Sequence, residues 1–186
     1  MAENLVLMKV NEEIKQLSLN LGFTSCLFLD TDFVLISEKN PNQLSKKIKE
    51  AKNNGKKVIV KPQTEELLRF VLEKTSADLI FGQELINLKD SVHFRKGGLD
   101  QILCRIAREK DKLIGFSFTD ILIAEPNQRS QLMGRMMVNI KLCQKYKVPI
   151  FFSNFSSEIW QMRSNHDLGA FWQILGGIKN NELFCR

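Results

Sequence analysis

Short apolar runs and amphipathic stretches alternate along this chain. Runs such as residues 24–29 and 57–60 are typical of strands buried on both faces of a parallel sheet, and between them apolar positions recur at the three- and four-residue spacing of helices. The predicted strands are residues 4–8, 24–29, 33–36, 57–60, 78–81, 91–94, 113–118 and 149–153. The predicted helices are residues 10–21, 41–53, 64–74, 99–109, 127–146 and 167–175.

Strand followed by helix, repeated six or seven times without hairpin signals, predicts a parallel sheet with helical crossovers. An open doubly wound sheet and a (β/α) barrel both satisfy this order. The number of repeats in series favours the barrel, with about seven parallel strands. The chain has no low-complexity linker, so we expect residues 1–186 to form one domain.

Composition places the chain among globular proteins, with 44% hydrophobic and 26% charged residues. No run approaches 18 apolar residues, and residues 1–10 lack the long apolar region of a signal peptide. The four cysteines are far apart and form no C-x-x-C motif, which favours buried free thiols in a reducing compartment. We therefore expect an intracellular, cytoplasmic protein without a membrane span.

The formal net charge of +6 is distributed unevenly. Residues 39–61 hold eight lysines and one acid, Glu50, and residues 127–147 hold five cations and no acid. A third basic group comprises Arg95, Lys96, Arg105 and Arg108. Lysine runs can be nothing more than solvated helix faces, but three separate basic segments favour a surface that binds a polyanion.

Several catalytic motifs are missing from the sequence. It has no G-x-G-x-x-G after the first strand, no P-loop, no G-x-S-x-G and no H-E-x-x-H. Asp30 and Asp32 follow a strand at the end where a parallel barrel places its chemistry. With His93 they suggest a metal-dependent phosphoesterase as one alternative, although an ordinary turn is the default explanation of both carboxylates. We expect no catalytic residue and no metal ligand.

Arginines form the stronger candidate site, because their guanidinium groups bind phosphate in a bidentate geometry. Arg105 and Arg108 are three residues apart and share a helix face. The predicted RNA-binding residues are Arg95, Lys96, Arg105, Arg108, Arg129 and Arg135, with Lys61 and Arg163 as weaker candidates. Intramolecular ion pairs are the alternative explanation for these arginines. Tyrosine is scarce, so stacking platforms for single-stranded bases are not evident, and structured RNA is the expected ligand.

The same region carries a resemblance to a known family. Residues 98–109 and the apolar strand after them match the pattern L-x-x-I-L-x-R-I-A-R-E of ribonuclease P protein component three, the thirty-kilodalton subunit family of archaeal and eukaryotic ribonuclease P. The arginine-bearing helix at 129–146, the K-Y-x-V-P turn, a strand ending at Ser153 and the ending from Arg163 to Gly176 are also similar. The resemblance is specific over residues 95–176, and the lysine-rich segment 39–61 matches no family motif.

The resemblance implies an incomplete TIM-like barrel, related to metal-dependent phosphoesterase barrels, that has no nuclease activity of its own. In such a protein the catalytic RNA, using Mg²⁺, removes the 5′ leader of precursor tRNA, and the protein binds and supports that RNA. The implied partners are ribonuclease P RNA, precursor tRNA indirectly, and a small ferredoxin-like subunit, component two, in a heterotetramer. The implied location is the cytoplasm, or the nucleus or nucleolus for a eukaryotic source. A protein-interaction scaffold without RNA binding is the second alternative.

Overall fold

Parallel strands and helices alternate through residues 3–86 and 97–178, the parts of the chain that the computed structural model describes. The strands are β1 (Glu3–Val6), β2 (Ser25–Phe28), β3 (Phe33–Ile36), β4 (Lys57–Val60), β5 (Leu79–Phe81), β6 (Leu113–Ser117) and β7 (Ile150–Ser153). The helices are α1 (Glu12–Asn20), α2 (Pro41–Asn53), α3 (Glu65–Lys74), α4 (Gln101–Glu109), α5 (Phe118–Ile123), α6 (Pro126–Tyr146) and α7 (Asn165–Ile174). Short 3-10 helices occupy Gln83–Leu85 and Ile159–Gln161.

The strands form two parallel sheets, β1-β2 and β3-β4-β5-β6-β7. Hydrogen bonds join the first sheet to the end of the second. The backbone N–H of Phe155 donates to the Leu5 carbonyl at 2.8 Å, and that of Leu7 donates to the Ser156 carbonyl at 2.7 Å. The Leu5 N–H also donates to the hydroxyl oxygen of Ser153 at 2.9 Å. β1 therefore lies beside the chain that continues β7.

One apolar cluster receives a side chain from every one of these seven strands. Because successive residues of a strand point to opposite sides, each strand places alternate residues on this side of the sheet. The buried members are Leu5, Leu27, Phe33, Ile59, Leu79, Phe81, Leu113, Phe151 and Phe155. Phe155 stacks on Phe81 with ring centroids 4.6 Å apart. The strands of the two sheets thus share one apolar core on this side.

A second and larger apolar core lies between the outer side of the sheet and the helices. It takes the remaining alternate residues of the strands, such as Val58, Ile114 and Phe152. The facing helices contribute their apolar stripes, for example Leu68 of α3 and Met136 of α6. Two layers of burial, one on each side of a parallel sheet, confirm the α/β architecture expected from the sequence.

Side chains at the helix starts explain where most helices begin. Asn40, Thr64 and Asp100 each accept a hydrogen bond from a backbone N–H in the first turn of the helix that follows, which satisfies a donor that the helix itself cannot. Ser164 does the same for α7. His166 is the second residue of α7.

Helix α5 is absent from the sequence-based assignment, which continued a strand to residue 118. The strand ends at Ser117, whose hydroxyl oxygen accepts a hydrogen bond from the Asp120 N–H and begins a helix of six residues. The apolar run across this boundary conceals the change, because strand and buried helix are both apolar. The strand expected at residues 91–94 lies outside the described residues.

The enclosed core predicts a large effect at Gly115 of β6. A Cβ atom there would lie 2.8 Å from Leu79 Cδ2 and 3.0 Å from Phe81 Cβ, so Gly115→Ala forces the neighbours apart. We expect a loss of about 1–3 kcal/mol in the free energy of unfolding, measured by urea denaturation.

Gly169 provides the matched control, because it lies within α7 with no atom within 4 Å of its added Cβ. Gly169→Ala should be neutral or stabilising by roughly 0.5–1 kcal/mol. Equal stabilities of the two variants would contradict the enclosed core.

Candidate nucleic-acid interface

Two of the predicted RNA contacts, Arg105 and Arg108, lie on the exposed side of α4. Their spacing of three residues places both on one face of the helix. The Arg105 guanidinium carbon lies 5.7 Å from the centre of the Tyr146 ring at the end of α6. The structure therefore brings Arg105 to the junction between α4 and α6, with Arg108 one turn further along α4.

Helix α6 adds a cation to this junction, because the Lys145 ammonium lies 5.6 Å from the centre of the Tyr146 ring. Lys141 is also exposed and lies one turn before Lys145 on the same helix. The Tyr146 hydroxyl donates to Gln101 Oε1 of α4 at 3.4 Å. We call Gln101, Arg105, Arg108, Lys141, Lys145 and Tyr146 the α4–α6 surface.

The four cations of the α4–α6 surface are available to an external anion. Within the described residues, none of them forms an ion pair with a carboxylate. Residues 127–147 contain no acid at all. A group of four cations without counter-charges in the protein creates a positive potential that attracts phosphate.

Arg135 does not reach this surface, and its predicted role as an RNA contact was wrong. Its side chain is 0% exposed. The guanidinium donates to the backbone carbonyl of Glu84 at 2.8 Å. Arg135 lies off the apolar stripe of α6, but this side of the helix is buried too, so its guanidinium does not reach solvent.

Arg129 and Arg163 direct their guanidinium groups at backbone carbonyls. Arg129 donates to the carbonyls of Ile121, Leu122 and Ala124, at 3.0–3.1 Å, where α5 ends and its last carbonyls lack helical partners. Arg163 donates to the carbonyls of Trp160 and Met162. Both arginines thus hold the chain's own backbone, and RNA contact by either remains a prediction.

Lys61 extends β4 and lies at the carboxyl end of the sheet. Its ammonium is 3.3 Å from Asp120 Oδ1, with the two side chains 32% and 12% exposed. It also lies 5.1 Å from the centre of the Phe81 ring. The carboxylate of Asp120 offsets much of its charge, so Lys61 is a weaker phosphate ligand than the exposed cations. Arg95 and Lys96 lie outside the described residues.

The lysine-rich segment 39–61 is largely engaged within the protein. Lys52 pairs with Asp78 at 2.5 Å, Lys47 pairs with Glu38, and the Lys56 ammonium donates to the Asp30 carbonyl at 2.6 Å. These contacts tie α2 and the chain after it to neighbouring strands and turns. The formal charge of +7 on residues 39–61 therefore overstates the positive charge that is free to bind an anionic partner.

The carboxylates suggested for a metal-dependent phosphoesterase serve a turn. Asp32 Oδ2 accepts a hydrogen bond from the Phe28 N–H at 2.8 Å, and the Asp30 N–H donates to the Phe33 carbonyl at 2.8 Å. Within residues 3–86 and 97–178, no three or more His, Cys, Asp or Glu side chains form a group that could hold a metal ion. His93 lies outside those ranges. The observed roles are those of the ordinary turn.

A buried polar group joins α6 to the end of β5. Glu84 is 1% exposed and its carboxylate accepts from Asn139 Nδ2 at 3.0 Å and from Gln83 Nε2 at 2.7 Å. Asn139 Nδ2 also donates to the Gly97 carbonyl at 2.6 Å. Burial raises the pKa of the Glu84 carboxyl from 4.5 to about 7, a shift that nearby Asp120 reinforces and the hydrogen bonds from Asn139 and Gln83 oppose.

Two buried thiols lie beneath the α4–α6 surface. Cys104 and Cys143 are both fully buried and free, as the sequence predicted. A hydrogen bond between the two thiols, together with burial, raises the pKa of Cys143 well above its usual range. The thiols are neutral packing groups that fix the distance between α4 and α6.

Sequence reasoning missed four members of the α4–α6 surface as individual site residues, Gln101 among them. Lys141 and Lys145 were counted in a basic segment without being assigned a contact, and Tyr146 was dismissed as an isolated tyrosine. No periodicity within α6 reveals that its end contacts α4. The sequence feature that could have pointed to Lys141 and Lys145 is the absence of any acid in residues 127–147.

The raised pKa of Glu84 predicts a pH-dependent stability. The folded state retains this proton up to about pH 7 whereas the unfolded chain releases it near pH 4.5, so the associated stability is present below pH 4.5 and is lost as the pH rises toward 7. The loss is on the order of 3 kcal/mol. Glu84→Gln should remove this decline in urea denaturation measured from pH 5 to pH 8. Exposed Glu109→Gln is the control, and an unaltered decline in Glu84→Gln would contradict the assignment.

Comparison with known proteins shows what the chain is similar to. No protein-family model matches it. It is 30% identical over 138 residues to ribonuclease P protein component 3 of Methanococcus maripaludis strain C7, which covers 74% of this chain and 56% of the relative. It is 26% identical over 142 residues to the protein of that name from Methanocaldococcus jannaschii, covering 76% of this chain and 58% of the relative. The chain thus spans a little over half the length of these curated relatives.

Solved structures show a similar fold. A chain in the cryo-EM structure of archaeal ribonuclease P with mature tRNA superposes with a TM-score of 0.71 at 19% identity, covering 95% of this chain and 74% of that one. An amidohydrolase crystal structure gives 0.51 at 12% identity, covering 80% of this chain and 37% of that one. Several curated proteins from different archaea carry the same name and match over about three quarters of this chain. On this sequence similarity, the chain belongs to the ribonuclease P protein component 3 family.

Proposed function

We propose that the chain is a protein subunit of ribonuclease P that binds and supports the catalytic RNA. In this proposal the RNA removes the 5′ leader of precursor tRNA, and the protein supplies no catalytic residue. The observation that carries the proposal is the α4–α6 surface of a family member, where two neighbouring helices present four exposed cations that form no ion pair with a carboxylate among the described residues.

Phosphate neutralisation is the proposed mechanism. A folded RNA brings phosphates close together, and each protein cation placed among them releases a condensed counterion. The protein cations thereby lower the Mg²⁺ concentration that the RNA needs to fold. Mg²⁺ is the cofactor of the RNA in this proposal, and none is assigned to the protein.

The proposed architecture is an incomplete TIM-like barrel of seven parallel strands. Its support is the enclosed apolar cluster, which takes a residue from every strand, together with the hydrogen bonds from the chain after β7 to Leu5 and Leu7. A barrel interior filled by alternate residues of its strands has this composition.

The proposed partners are ribonuclease P RNA, precursor tRNA indirectly, and the small ferredoxin-like component two, in a heterotetramer. A chain of similar fold is present in the cryo-EM structure of archaeal ribonuclease P with mature tRNA, which supports an RNA-containing assembly. We propose the cytoplasm as the site of action. Within the described residues, no helix is long and apolar enough to cross a membrane.

Removal of the two arginines tests the RNA-binding proposal. Arg105→Ala combined with Arg108→Ala should weaken binding to a structured RNA and should reduce the slope of log affinity against log salt by roughly 1.5, since each lost phosphate contact contributes about 0.7–0.9. The measurement is fluorescence anisotropy across a series of salt concentrations. The melting temperature should scarcely change, because both side chains are exposed.

The matched control removes two other cations, Lys15 and Arg69, each of which pairs with an acid on its own helix. Lys15→Ala with Arg69→Ala changes the net charge equally and should preserve the salt slope. A slope unchanged by the arginine substitutions would remove the α4–α6 surface from the contact set. If the wild-type protein does not bind RNA, or binds it with an affinity that does not depend on salt, the protein-interaction scaffold is the alternative that remains.

A further inference from the structure

Tyr146 is the single tyrosine of the chain, and it ends α6 in contact with α4. Its ring has two cationic neighbours, with the Arg105 guanidinium carbon at 5.7 Å from the ring centre and the Lys145 ammonium at 5.6 Å. The composition indicated no stacking platform, yet the fold gives this one ring a planar cation beside it.

The position of the ring is fixed from two directions. The hydroxyl donates to Gln101 Oε1 at 3.4 Å, and the residue after Tyr146, Lys147, adopts a left-handed conformation (φ 56°) that ends the helix. The ring is half-buried and packs against the outer apolar core. A ring held in this way loses little conformational freedom when a ligand stacks beside it.

Arg105 is exposed, and within residues 3–86 and 97–178 the Tyr146 ring is the one partner of its guanidinium. A guanidinium beside an aromatic ring is held by cation–π attraction and remains free on its outer side. Unpaired RNA bases stack on guanidinium planes and on aromatic rings of proteins.

We propose that the Arg105–Tyr146 pair is a stacking platform for one unpaired RNA base. The base stacks on the plane of the guanidinium, whose N–H groups at the edge still donate to a phosphate beside that base, and Arg108 and Lys141 contact further phosphates of the same strand. A base within a helix is already stacked on its neighbours, so the platform selects loops and bulges over duplex. This inference rests on the proposed function, because it assigns a type of RNA element to the same surface.

The test compares two RNA probes of equal length and charge, a hairpin with 2-aminopurine in its loop and a blunt duplex. Wild-type protein should bind the hairpin about tenfold more tightly than the duplex, since stacking of one base contributes a factor of this order. The fluorescence of 2-aminopurine should fall on binding.

Two conservative variants separate stacking from charge. Arg105→Lys keeps the charge but has no planar group, so the hairpin preference and the fluorescence change should both be lost while duplex affinity is retained. Arg108→Lys removes a guanidinium from a phosphate contact and should leave the ratio of hairpin to duplex affinity unchanged. Tyr146→Leu should resemble Arg105→Lys, and circular dichroism verifies that each variant is folded.

The outcomes distinguish the two claims. Equal binding of hairpin and duplex by the wild type, or the same ratio in Arg105→Lys and Arg108→Lys, would overturn the platform and leave phosphate binding intact. Failure of the wild type to bind either probe would overturn the proposed function together with the platform.

Discussion

The hydrogen bonds from Arg135 and Asn139 to Glu84 determine where α6 lies. Arg135 donates to the Glu84 carbonyl and Asn139 to its carboxylate, so two residues one turn apart on α6 are joined to the segment that follows β5. All three side chains are at most 1% exposed. Removing one partner from such a group leaves buried polar atoms unsatisfied, which makes the arrangement costly to alter.

The α4–α6 surface follows from this constraint. With the middle of α6 joined to the segment after β5, its last turns lie against α4, where Cys104 meets Cys143 in the interior and Arg105 meets Tyr146 outside. The exposed cations of the α4–α6 surface are thus positioned by buried polar contacts and by the packing of two thiols. The net charge of +6 conveys little of this, since many lysines of α2 pair within the protein.

Local patterns predicted the secondary structure well, and tertiary contacts explain where they failed. The parallel sheet follows from alternating strands and amphipathic helices, and the helix predicted at residues 41–53 has the bounds of α2. Arg135 was predicted to contact RNA because it does not lie on the main apolar stripe of α6. Its partner, Glu84, is 51 residues away in sequence, and no pattern within one helix reveals such a contact. The Arg105–Tyr146 contact could not be predicted for the same reason, because it joins residues of two helices that are 41 positions apart in the sequence.

Purification of the tagged chain from its own cells tests the central claim, that this family member acts on RNA as part of ribonuclease P. RNA recovered with the chain is sequenced, and the eluate is assayed on precursor tRNA. The account predicts that ribonuclease P RNA is enriched and that the eluate removes the 5′ leader in the presence of Mg²⁺. An eluate without enriched RNA, or with an unrelated RNA and no cleavage, would contradict it.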